Sequence, residues 1–143
     1  MSSELLQKQW RFARSVGVLL GQAHRLGYLV TLGECYRSDE QAEINALGPN
    51  GRAAVAGMIE RAFPLLARKI RNNPATANGI RASLHTERLA LDLQLFDQAG
   101  NWLQDVGPYQ RLGESWEALG PDYVWGGRFG DTPHFSIEYQ GRK

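Results

Sequence analysis

The sequence predicts an α+β fold, in which a small antiparallel sheet packs with helices in a single domain spanning residues 1–143. Helical spacing of apolar residues dominates the first half of the chain. Two segments of the second half, 89–96 and 134–139, instead alternate apolar and polar residues as strands do. A length of 143 residues suits one domain with a sizeable core. Helices followed by mixed strands and helices are typical of the α+β class.

The chain begins with a predicted long amphipathic helix. One face of this helix repeats at spacings of three and four, through Leu6, Trp10, Ala13, Gly17, Leu20 and His24. Ser2 or Ser3 is placed to cap its start, and Gly27 lies near its end. Because His24 falls on the apolar face, we interpret it as a core residue or a helix C-terminal residue.

A strand is predicted at residues 28–32, and a short helix after it. We interpret Cys35 as a small buried residue in the strand region, which is the usual environment of a free cysteine. Ser38 followed by Gln41 is a capping box, so the helix is expected to start at Asp39.

The middle of the chain is predicted to be helical again. Residues 48–51, Gly-Pro-Asn-Gly, should break the preceding helix. Helical spacing resumes over 52–71, where Pro64 either splits the helix or opens a second one. The composition of residues 72–79 predicts a loop.

The second half begins with the strand 89–96, which places four leucines on one face: Leu89, Leu91, Leu93 and Leu95. A turn at 97–100 precedes a return strand near Asn101. Pro108 is expected to open another helix that ends at Gly120. The buried side of that helix is predicted to carry Leu112, Trp116 and Leu119.

The final strand is predicted at residues 134–139. Phe135, Ile137 and Tyr139 should face the core, while His134, Ser136 and Glu138 should face the other way. Asp92 and His134 therefore each lie on the polar face of a predicted strand, and His85 lies in the loop before the first of them.

Composition argues against several classes of protein. The net charge is +1 and no lysine- or arginine-rich block stands out, so a nucleic-acid partner is not expected. No segment approaches the ~20 apolar residues that a membrane span requires, so stable membrane insertion is not expected either. The first residues do not resemble a signal peptide, which predicts synthesis in the cytoplasm. The lone cysteine excludes an intramolecular disulfide and a multi-cysteine metal site.

A metal site is predicted from His85, Asp92 and His134. Two imidazoles and a carboxylate make a three-ligand zinc site that leaves one coordination position open for water, as catalytic sites do. Cobalt or manganese could substitute for Zn²⁺. The alternative is a structural role, with a core histidine whose hydrogen bonds are satisfied within the protein and an aspartate that caps a turn.

Asp131 and Arg37 are candidate catalytic residues. A carboxylate three positions before His134 could act as general base, although the same segment also reads as an ordinary turn. Glu138 is a rival base or a partner that orients the histidine. The Arg37 guanidinium could bind a substrate carboxylate or stabilise an oxyanion. Its alternative is a surface ion pair with nearby Asp39 or Glu40.

Two further residues are candidate substrate contacts. Ser83 either hydrogen-bonds substrate or shapes its own loop. No Gly-x-Ser-x-Gly segment surrounds it, so it is not expected to be a nucleophile. Trp125 opens a predicted flexible loop, 125–129, which lies beside Asp131 and is expected to face the substrate.

These residues together resemble the superfamily of zinc D-alanyl-D-alanine carboxypeptidases and L-alanyl-D-glutamate endopeptidases, in its phage endolysin branch. The matching pattern is Ser-x-His, a seven-residue step to Asp, and a later acidic residue before a final His, here Ser83, His85, Asp92, Asp131 and His134. An early Tyr-Arg-Ser followed by Gln also matches, at residues 36–38 and 41. The resemblance implies three metal ligands, Asp131 as base and Arg37 as clamp.

The chain departs from that family pattern at two positions. Arg88 stands where the family often has glycine, and its side chain is expected to reshape or contact the substrate groove. Asp131 stands where many members have glutamate. This second departure resembles the endopeptidase branch. Residues 48–77 lie outside the pattern and are interpreted as a helical insertion.

The resemblance implies an endolysin that cleaves the stem peptide of bacterial peptidoglycan between L-alanine and D-glutamate. The alternatives are a D,D- or L,D-carboxypeptidase acting on the same peptides, and a non-catalytic zinc domain that binds cell wall. A monomer is expected, made in the host cytoplasm and acting on the wall in the periplasm after release through a separate holin.

Overall fold

The computed structural model describes residues 2–73 and 83–143. Within these residues the helices are α1 (Ser3–Arg25), α2 (Asp39–Ala46), α3 (Gly48–Ile59), α4 (Pro64–Arg71) and α5 (Val106–Glu117). The strands are β1 (Leu29–Leu32), β2 (Ala90–Phe96), β3 (Trp102–Leu103), β4 (Tyr123–Trp125) and β5 (His134–Ile137). All strand pairs are antiparallel. The predicted α+β fold is therefore confirmed.

The sheet has the strand order β1-β2-β5-β4, and the short β3 pairs with the end of β2. β2 lies between β1 and β5 and is the strand that joins the two halves of the sheet. The register places Asp92 of β2 directly opposite His134 of β5. Side chains of directly opposed residues lie on the same face of a sheet, so this pairing brings the two polar groups together.

The main core lies between the sheet and the helices α1 and α5. The four leucines predicted to share a face of β2 are all buried. Trp116 of α5 packs edge-on against Phe12, Tyr123 and Phe135, with ring centroids 5.8, 5.0 and 5.9 Å away. Its Nε1 donates to the Ser136 carbonyl at 2.9 Å. The prediction that Trp116 is a core residue is confirmed.

Helix α1 has the predicted ends but buries a different face. The Ser2 hydroxyl accepts from the Leu5 amide, and Gly27 has a φ of 83° just beyond the last turn. The buried residues are Phe12, Ser15, Leu19 and Ala23. Trp10 and His24 are exposed, so the predicted apolar face is wrong. Two apolar stripes with similar spacing run along this helix. Which of them is buried depends on the elements that pack against the helix, not on the spacing.

The segment after β1 also differs from the prediction. Cys35 is exposed and lies outside β1, so its interpretation as a buried strand residue is wrong. β1 ends at Leu32 because the chain then turns to hydrogen-bond Asp92 through Gly33 and Glu34 rather than continuing as a strand. Helix α2 starts where predicted, and the Ser38 hydroxyl accepts from the Gln41 amide at 3.2 Å.

Residues 48–73, called the helical arm below, contain α3 and α4. The predicted break occurs between α2 and α3, but residues 49–51 belong to the first turn of α3, where proline is favoured. Pro64 opens α4, as one of the two alternatives predicted. The arm and α2 share a small second cluster in which Ala56, Ala67 and Ile70 are buried. Most of the predicted loop, 74–79, lies outside the described residues, and an insertion within a single domain stays a prediction.

The region after β3 shows three further differences. Helix α5 begins at Val106, two residues before Pro108, and ends at Glu117, which leaves Leu119 exposed although it was predicted to be buried. Strand β4 was not predicted. It is followed by a 3₁₀ helix at Gly126–Phe129, so the predicted loop at 125–129 is regular structure instead. None of the described helices is both long and apolar enough to cross a membrane.

Candidate metal centre

Three elements bring the predicted metal ligands together. His85 lies in a turn just before β2, Asp92 lies within β2, and His134 is the first residue of β5. The turn that carries His85 is closed by the Leu89 amide, which donates to the Leu84 carbonyl at 3.0 Å. The strand register supplies the other two residues, so sheet pairing and one tight turn build the site.

The three side chains lie close enough to hold one metal ion. His85 Nε2 is 3.4 Å and His134 Nδ1 is 3.2 Å from Asp92 Oδ1. One ligand atom of each residue lies within 4.8 Å of the others. Ligands about 2.0–2.1 Å from a tetrahedral zinc ion are about 3.3 Å from one another. The two measured separations therefore fit the edges of such a tetrahedron.

Burial and charge favour an ionised Asp92. Both histidines are buried, with His85 4% and His134 7% exposed, while Asp92 retains some contact with solvent. Burial by itself raises the pKa of the Asp92 carboxyl, but hydrogen bonds and charges from His134 and His85 outweigh it. The net pKa of Asp92 lies well below its ordinary value. The carboxylate is therefore available as an anionic ligand across the physiological pH range.

The His85 ring presents its Nε2 atom to Asp92. Its Nδ1 is buried and meets no hydrogen-bond partner among residues 2–73 and 83–143. Nε2 faces Asp92 Oδ1 and is therefore the nitrogen positioned to ligate an ion shared with that carboxylate; ligation through its lone pair would leave the ring proton on Nδ1. His134 instead presents Nδ1 to the same oxygen.

The backbone of Asp92 is fixed by the segment after β1. The Gly33 amide donates to the Asp92 carbonyl at 2.7 Å, and the Asp92 amide donates to the Glu34 carbonyl at 2.9 Å. A Cβ on residue 33 would lie 3.1 Å from Asp92 Cβ, so glycine permits this close approach. Sequence reasoning missed both Gly33 and Glu34. The only available signal was the Gly-Glu pair that follows a strand and precedes Arg37.

Arg37 is held beside the centre by Glu34. Its Nε donates to Glu34 Oε1 at 2.9 Å, and a second guanidinium nitrogen contacts the other carboxylate oxygen. The Arg37 amide also donates to the His85 carbonyl. The hydrogen bond that Arg37 donates to Glu34 raises the pKa of Arg37, and the charges of Glu34 and Asp92 add to this effect, while burial opposes it. The acidic partner of Arg37 is thus Glu34, whereas the alternative to a catalytic role was an ion pair with Asp39 or Glu40.

Asp131 sits at the rim of the centre. It is an exposed residue whose carbonyl accepts from the His134 amide at 3.2 Å. Desolvation raises the pKa of its carboxyl, while the charge of nearby His134 opposes the rise and that of Asp92 adds to it. The charge of His85 also opposes the rise, so the carboxyl is close enough to be influenced by all three metal-ligand candidates, which is the environment expected of a base beside the site.

Gly126 allows the Asp131 loop to close onto β5. A Cβ at this position would lie 2.7 Å from His134 Cβ and closer still to the Asp131 carbonyl oxygen. The Asp131 amide donates back to the Gly126 carbonyl at 2.9 Å. Sequence reasoning did not single out Gly126, although a Gly-Gly pair shortly before a candidate base is a usable signal.

Trp125 is a core residue, and the burial argues against its predicted role as a substrate contact. Only 2% of the residue is exposed. A Cβ on either Gly113 or Gly127 would lie 2.6 Å or less from the indole, so two glycines sandwich the ring. The indole Nε1 donates to the Thr132 carbonyl at 2.8 Å. Trp125 therefore positions the segment that leads to His134.

Glu138, the rival base, lies beyond the other end of β5. Its backbone amide donates to the Asp122 carbonyl, and its carbonyl accepts from Lys8. Four residues of strand, or about 13 Å, separate it from His134. This separation favours Asp131 over Glu138 as the candidate base.

Ser83 and Arg88 flank His85 in its turn. The Ser83 hydroxyl accepts from the His85 amide at 3.3 Å, so it shapes its own loop, which is one of the two roles predicted. Arg88 has a φ of 56°, a left-handed conformation that glycine adopts without strain. This conformation explains the glycine expected there from the family pattern. The Arg88 guanidinium lies 4.6 Å from the centre of the Tyr36 ring.

A polar groove of about 300 Å³ leads away from the centre along β2. Its lining includes Asp92, Gln94, Trp102 and Thr132. Trp102 pairs with Phe96 and so lies on the same face of the sheet as Asp92 and Gln94. Tyr109 lines the same groove, and about half of Trp102 stays exposed. The groove therefore has a carboxylate at one end and an aromatic platform at the other.

No protein-family model matches the chain, and no curated protein matches it significantly. The argument for function consequently depends on the residues and geometry described above.

Proposed function

We propose that the protein is a zinc metallopeptidase that cleaves the stem peptide of bacterial peptidoglycan at the bond between L-alanine and D-glutamate. The single observation that carries this proposal is the convergence of His85, Asp92 and His134 at the separations expected of zinc ligands. The choice of substrate rests on the resemblance of the same residues to the peptidase superfamily.

The donor set favours zinc. Two imidazole nitrogens and one carboxylate oxygen suit Zn²⁺ better than calcium or magnesium, which prefer oxygen ligands. Three protein ligands leave a coordination position for water or substrate, whereas structural sites are usually closed by four. When bound, zinc supplies a Lewis acid that polarises a carbonyl and lowers the pKa of water.

The residues around the ligands fit the roles of an amide hydrolase. In this proposal Asp131 accepts the proton of the attacking water and returns it to the leaving amine. Arg37, held in place by Glu34, is placed to stabilise the oxyanion or to bind a substrate carboxylate.

The groove fits an extended substrate. Asp92 and Phe96 are separated by four residues of β2, so the Trp102 platform lies about 13 Å from the centre. Amide and aromatic groups along that distance suit a polymer that carries both peptide and sugar. The proposal includes release of a monomeric enzyme from the host cytoplasm by a separate holin and action on the wall in the periplasm.

Mass spectrometry of digested peptidoglycan tests the proposal. Purified wall is incubated with the protein, with and without a chelator that is later replaced by Zn²⁺. New N-terminal D-glutamate that depends on zinc supports the endopeptidase. Loss of only the last residue of each peptide would identify a carboxypeptidase, and unchanged wall would leave a non-catalytic binding domain.

A matched pair of variants tests the base. Asp131→Asn should retain zinc and lose about 100-fold or more of the turnover, because general-base catalysis contributes that much. Asp105→Asn removes an exposed carboxylate before α5 and should leave turnover unchanged. Full activity in Asp131→Asn would show that another group accepts the proton.

A further inference from the structure

We propose that the outward face of the helical arm binds the surface of an anionic phospholipid bilayer. The inference concerns residues 58–73, which do not take part in the metal centre. It is independent of the proposed peptidase activity, since a membrane-binding face can be measured without any substrate.

The arm exposes an unusual concentration of large apolar side chains. Met58, Phe63, Leu65 and Leu66 are 83%, 60%, 68% and 48% exposed and lie within nine consecutive residues. Single exposed apolar residues are normal on protein surfaces and need no explanation. Three of the four, Phe63, Leu65 and Leu66, are gathered at the start of α4, and such a concentration of exposed apolar side chains indicates an interaction site.

The packing of the arm explains why these residues face outward. Helices α3 and α4 meet through small side chains, with Ala56 and Ala67 fully buried and Ile70 nearly so. Leu65 is two residues from Ala67, which is about 200° around a helix. Leu65 therefore points away from the only apolar cluster that the described part of the arm offers, and so its exposure is built into the fold.

Basic residues surround the apolar group. Residues 48–73 carry five basic side chains, listed as Arg52, Arg61, Arg68, Lys69 and Arg71, against the single acid Glu60, for a net charge of 5 − 1 = +4. The whole chain has a net charge of +1, so the remainder carries −3. Arg52 is buried, whereas Arg61, Arg68 and Lys69 are exposed. Arg71 pairs with Glu60, so Arg61, Arg68 and Lys69 supply the exposed positive charge next to Phe63, Leu65 and Leu66.

A cavity of about 340 Å³ lies at the end of α4. Its lining consists of Arg68, Lys69, Asn72 and Asn73. Arg68, Lys69 and the Asn72 amide provide hydrogen-bond donors of the kind that bind a phosphate group, whereas Asn73 Nδ2 already donates to Asn45 Oδ1 at 3.0 Å. The cavity adjoins the leucines on the same helix, so a headgroup phosphate and the upper acyl chain of one lipid could be engaged together.

The combination favours a bilayer over other partners. A nucleic acid would match the positive charge but would leave the leucines and Phe63 without an apolar environment. A second copy of the chain would cover them but would bring two faces of like charge together. An anionic bilayer satisfies both features, because basic residues bind at its surface while adjacent apolar side chains enter the headgroup boundary.

Flotation of the full chain with lipid vesicles tests this inference. Vesicles of phosphatidylcholine alone are compared with vesicles containing equal parts of phosphatidylglycerol and phosphatidylcholine. We expect binding at least about tenfold tighter to the anionic vesicles, and a loss of binding as the salt concentration rises. Equal binding to both vesicle types, or no binding, would overturn the proposal.

Two variant pairs locate the face. Leu65→Ser combined with Leu66→Ser, and Arg68→Gln combined with Lys69→Gln, should each weaken binding by about tenfold or more. Leu119→Ser and Arg111→Gln change an exposed leucine and an exposed arginine at and near α5 and should bind normally. Circular dichroism verifies that each variant folds.

The remaining outcomes are also decisive. Normal vesicle binding by both arm variants would place the membrane contact elsewhere and reject the arm. Concentration-dependent self-association that the Leu65 and Leu66 changes abolish, without vesicle binding, would assign the face to a second copy instead. A failure of peptidoglycan cleavage would leave the vesicle result unaffected, so the two proposals can fail separately.

Discussion

The sheet region and the helical arm bury their apolar residues in very different ways. Around the sheet, tryptophan, tyrosine, phenylalanine and leucine side chains form one large core, and each metal-ligand candidate is attached to it through β2 or β5. The arm has a core of two alanines and an isoleucine, and exposes its larger residues. The first arrangement holds its side chains in a packed core, and the second presents large apolar side chains to solvent.

The largest expected contrast comes from truncating one large apolar side chain in each region. Trp116→Ala should lower the free energy of unfolding by about 3–5 kcal/mol, because it leaves a cavity among three aromatic rings. Met58→Ala changes a residue of the arm that is 83% exposed and should change stability by less than about 0.5 kcal/mol. Urea unfolding measures both. Equal losses would show that the arm belongs to the main core.

Glycine replacement separates the two regions at finer resolution. Gly126→Ala places a Cβ against His134 and the Asp131 carbonyl, so we expect a cost of about 1–3 kcal/mol and zinc affinity lowered about 10–100-fold. Gly57→Ala in α3 meets no atom within 4 Å and should stabilise the protein by about 0.5–1 kcal/mol. Unfolding and chelator competition measure the two effects.

If Gly126→Ala stabilised the protein as Gly57→Ala is expected to do, the close packing assigned to Gly126 would be contradicted. In particular, unchanged zinc affinity in Gly126→Ala would show that the Asp131 loop tolerates displacement from β5.

A smaller effect is expected at Arg88. Its left-handed backbone should cost about 1 kcal/mol relative to glycine, offset by about 0.5–1 kcal/mol from the contact with Tyr36. Arg88→Gly should therefore change stability by less than about 1 kcal/mol, whereas the β-branched Arg88→Val should destabilise clearly. Thermal unfolding of the pair checks this, and a stabilising Arg88→Val would refute the backbone assignment.

The smallest expected effect concerns acid stability. Burial raises the pKa of the Asp122 carboxyl, but Lys8 and Arg11 outweigh it and hold the net pKa below its ordinary value. The resulting stabilisation is complete above about pH 4 and is lost as the pH falls through the lowered pKa of the folded state. Asp122→Asn should thus be less stable than the wild type at pH 6, and the difference should shrink in acid.

The arm supplies the control for that measurement. The Glu60–Arg71 pair is 2.8 Å apart, but both side chains are exposed, so Glu60→Gln should change the stability profile between pH 6 and acid much less than Asp122→Asn does. A stability difference between Asp122→Asn and wild type that grows in acid would contradict the sign of the Asp122 shift.

Sequence patterns predicted the parts of the fold in which local spacing decides the structure. Alternation of apolar and polar residues predicted the segments of β2 and β5. The same alternation predicted that Asp92 and His134 lie on the polar faces of these strands. The buried face of α1 could not be predicted, because two apolar stripes fit the same helix and only α5 and Tyr123 select one of them. Strand β4 has three residues, too few for alternation to stand out.

The residues of the candidate site also fall into two groups, those that the sequence predicts and those that it does not. The ligand types and Asp131 could be predicted from spacing and family pattern, because they depend on chemistry that the side chains carry themselves. Glu34, Gly33 and Gly126 could not, since each acts through a close approach between segments distant in sequence. The basic character of the arm was also missed, because its charges are spaced along the chain and only folding gathers them beside exposed leucines.

X-ray absorption at the zinc edge, combined with metal analysis of the purified protein, tests the metal centre most directly. We expect one zinc ion per chain, with two imidazole nitrogens and one carboxylate oxygen at about 2.0–2.2 Å. His134→Ala should lose the ion, while His24→Ala, which changes an exposed histidine on α1, should keep it. A chain that binds no zinc, or one whose zinc has a sulfur ligand or survives His134→Ala, would contradict the assignment.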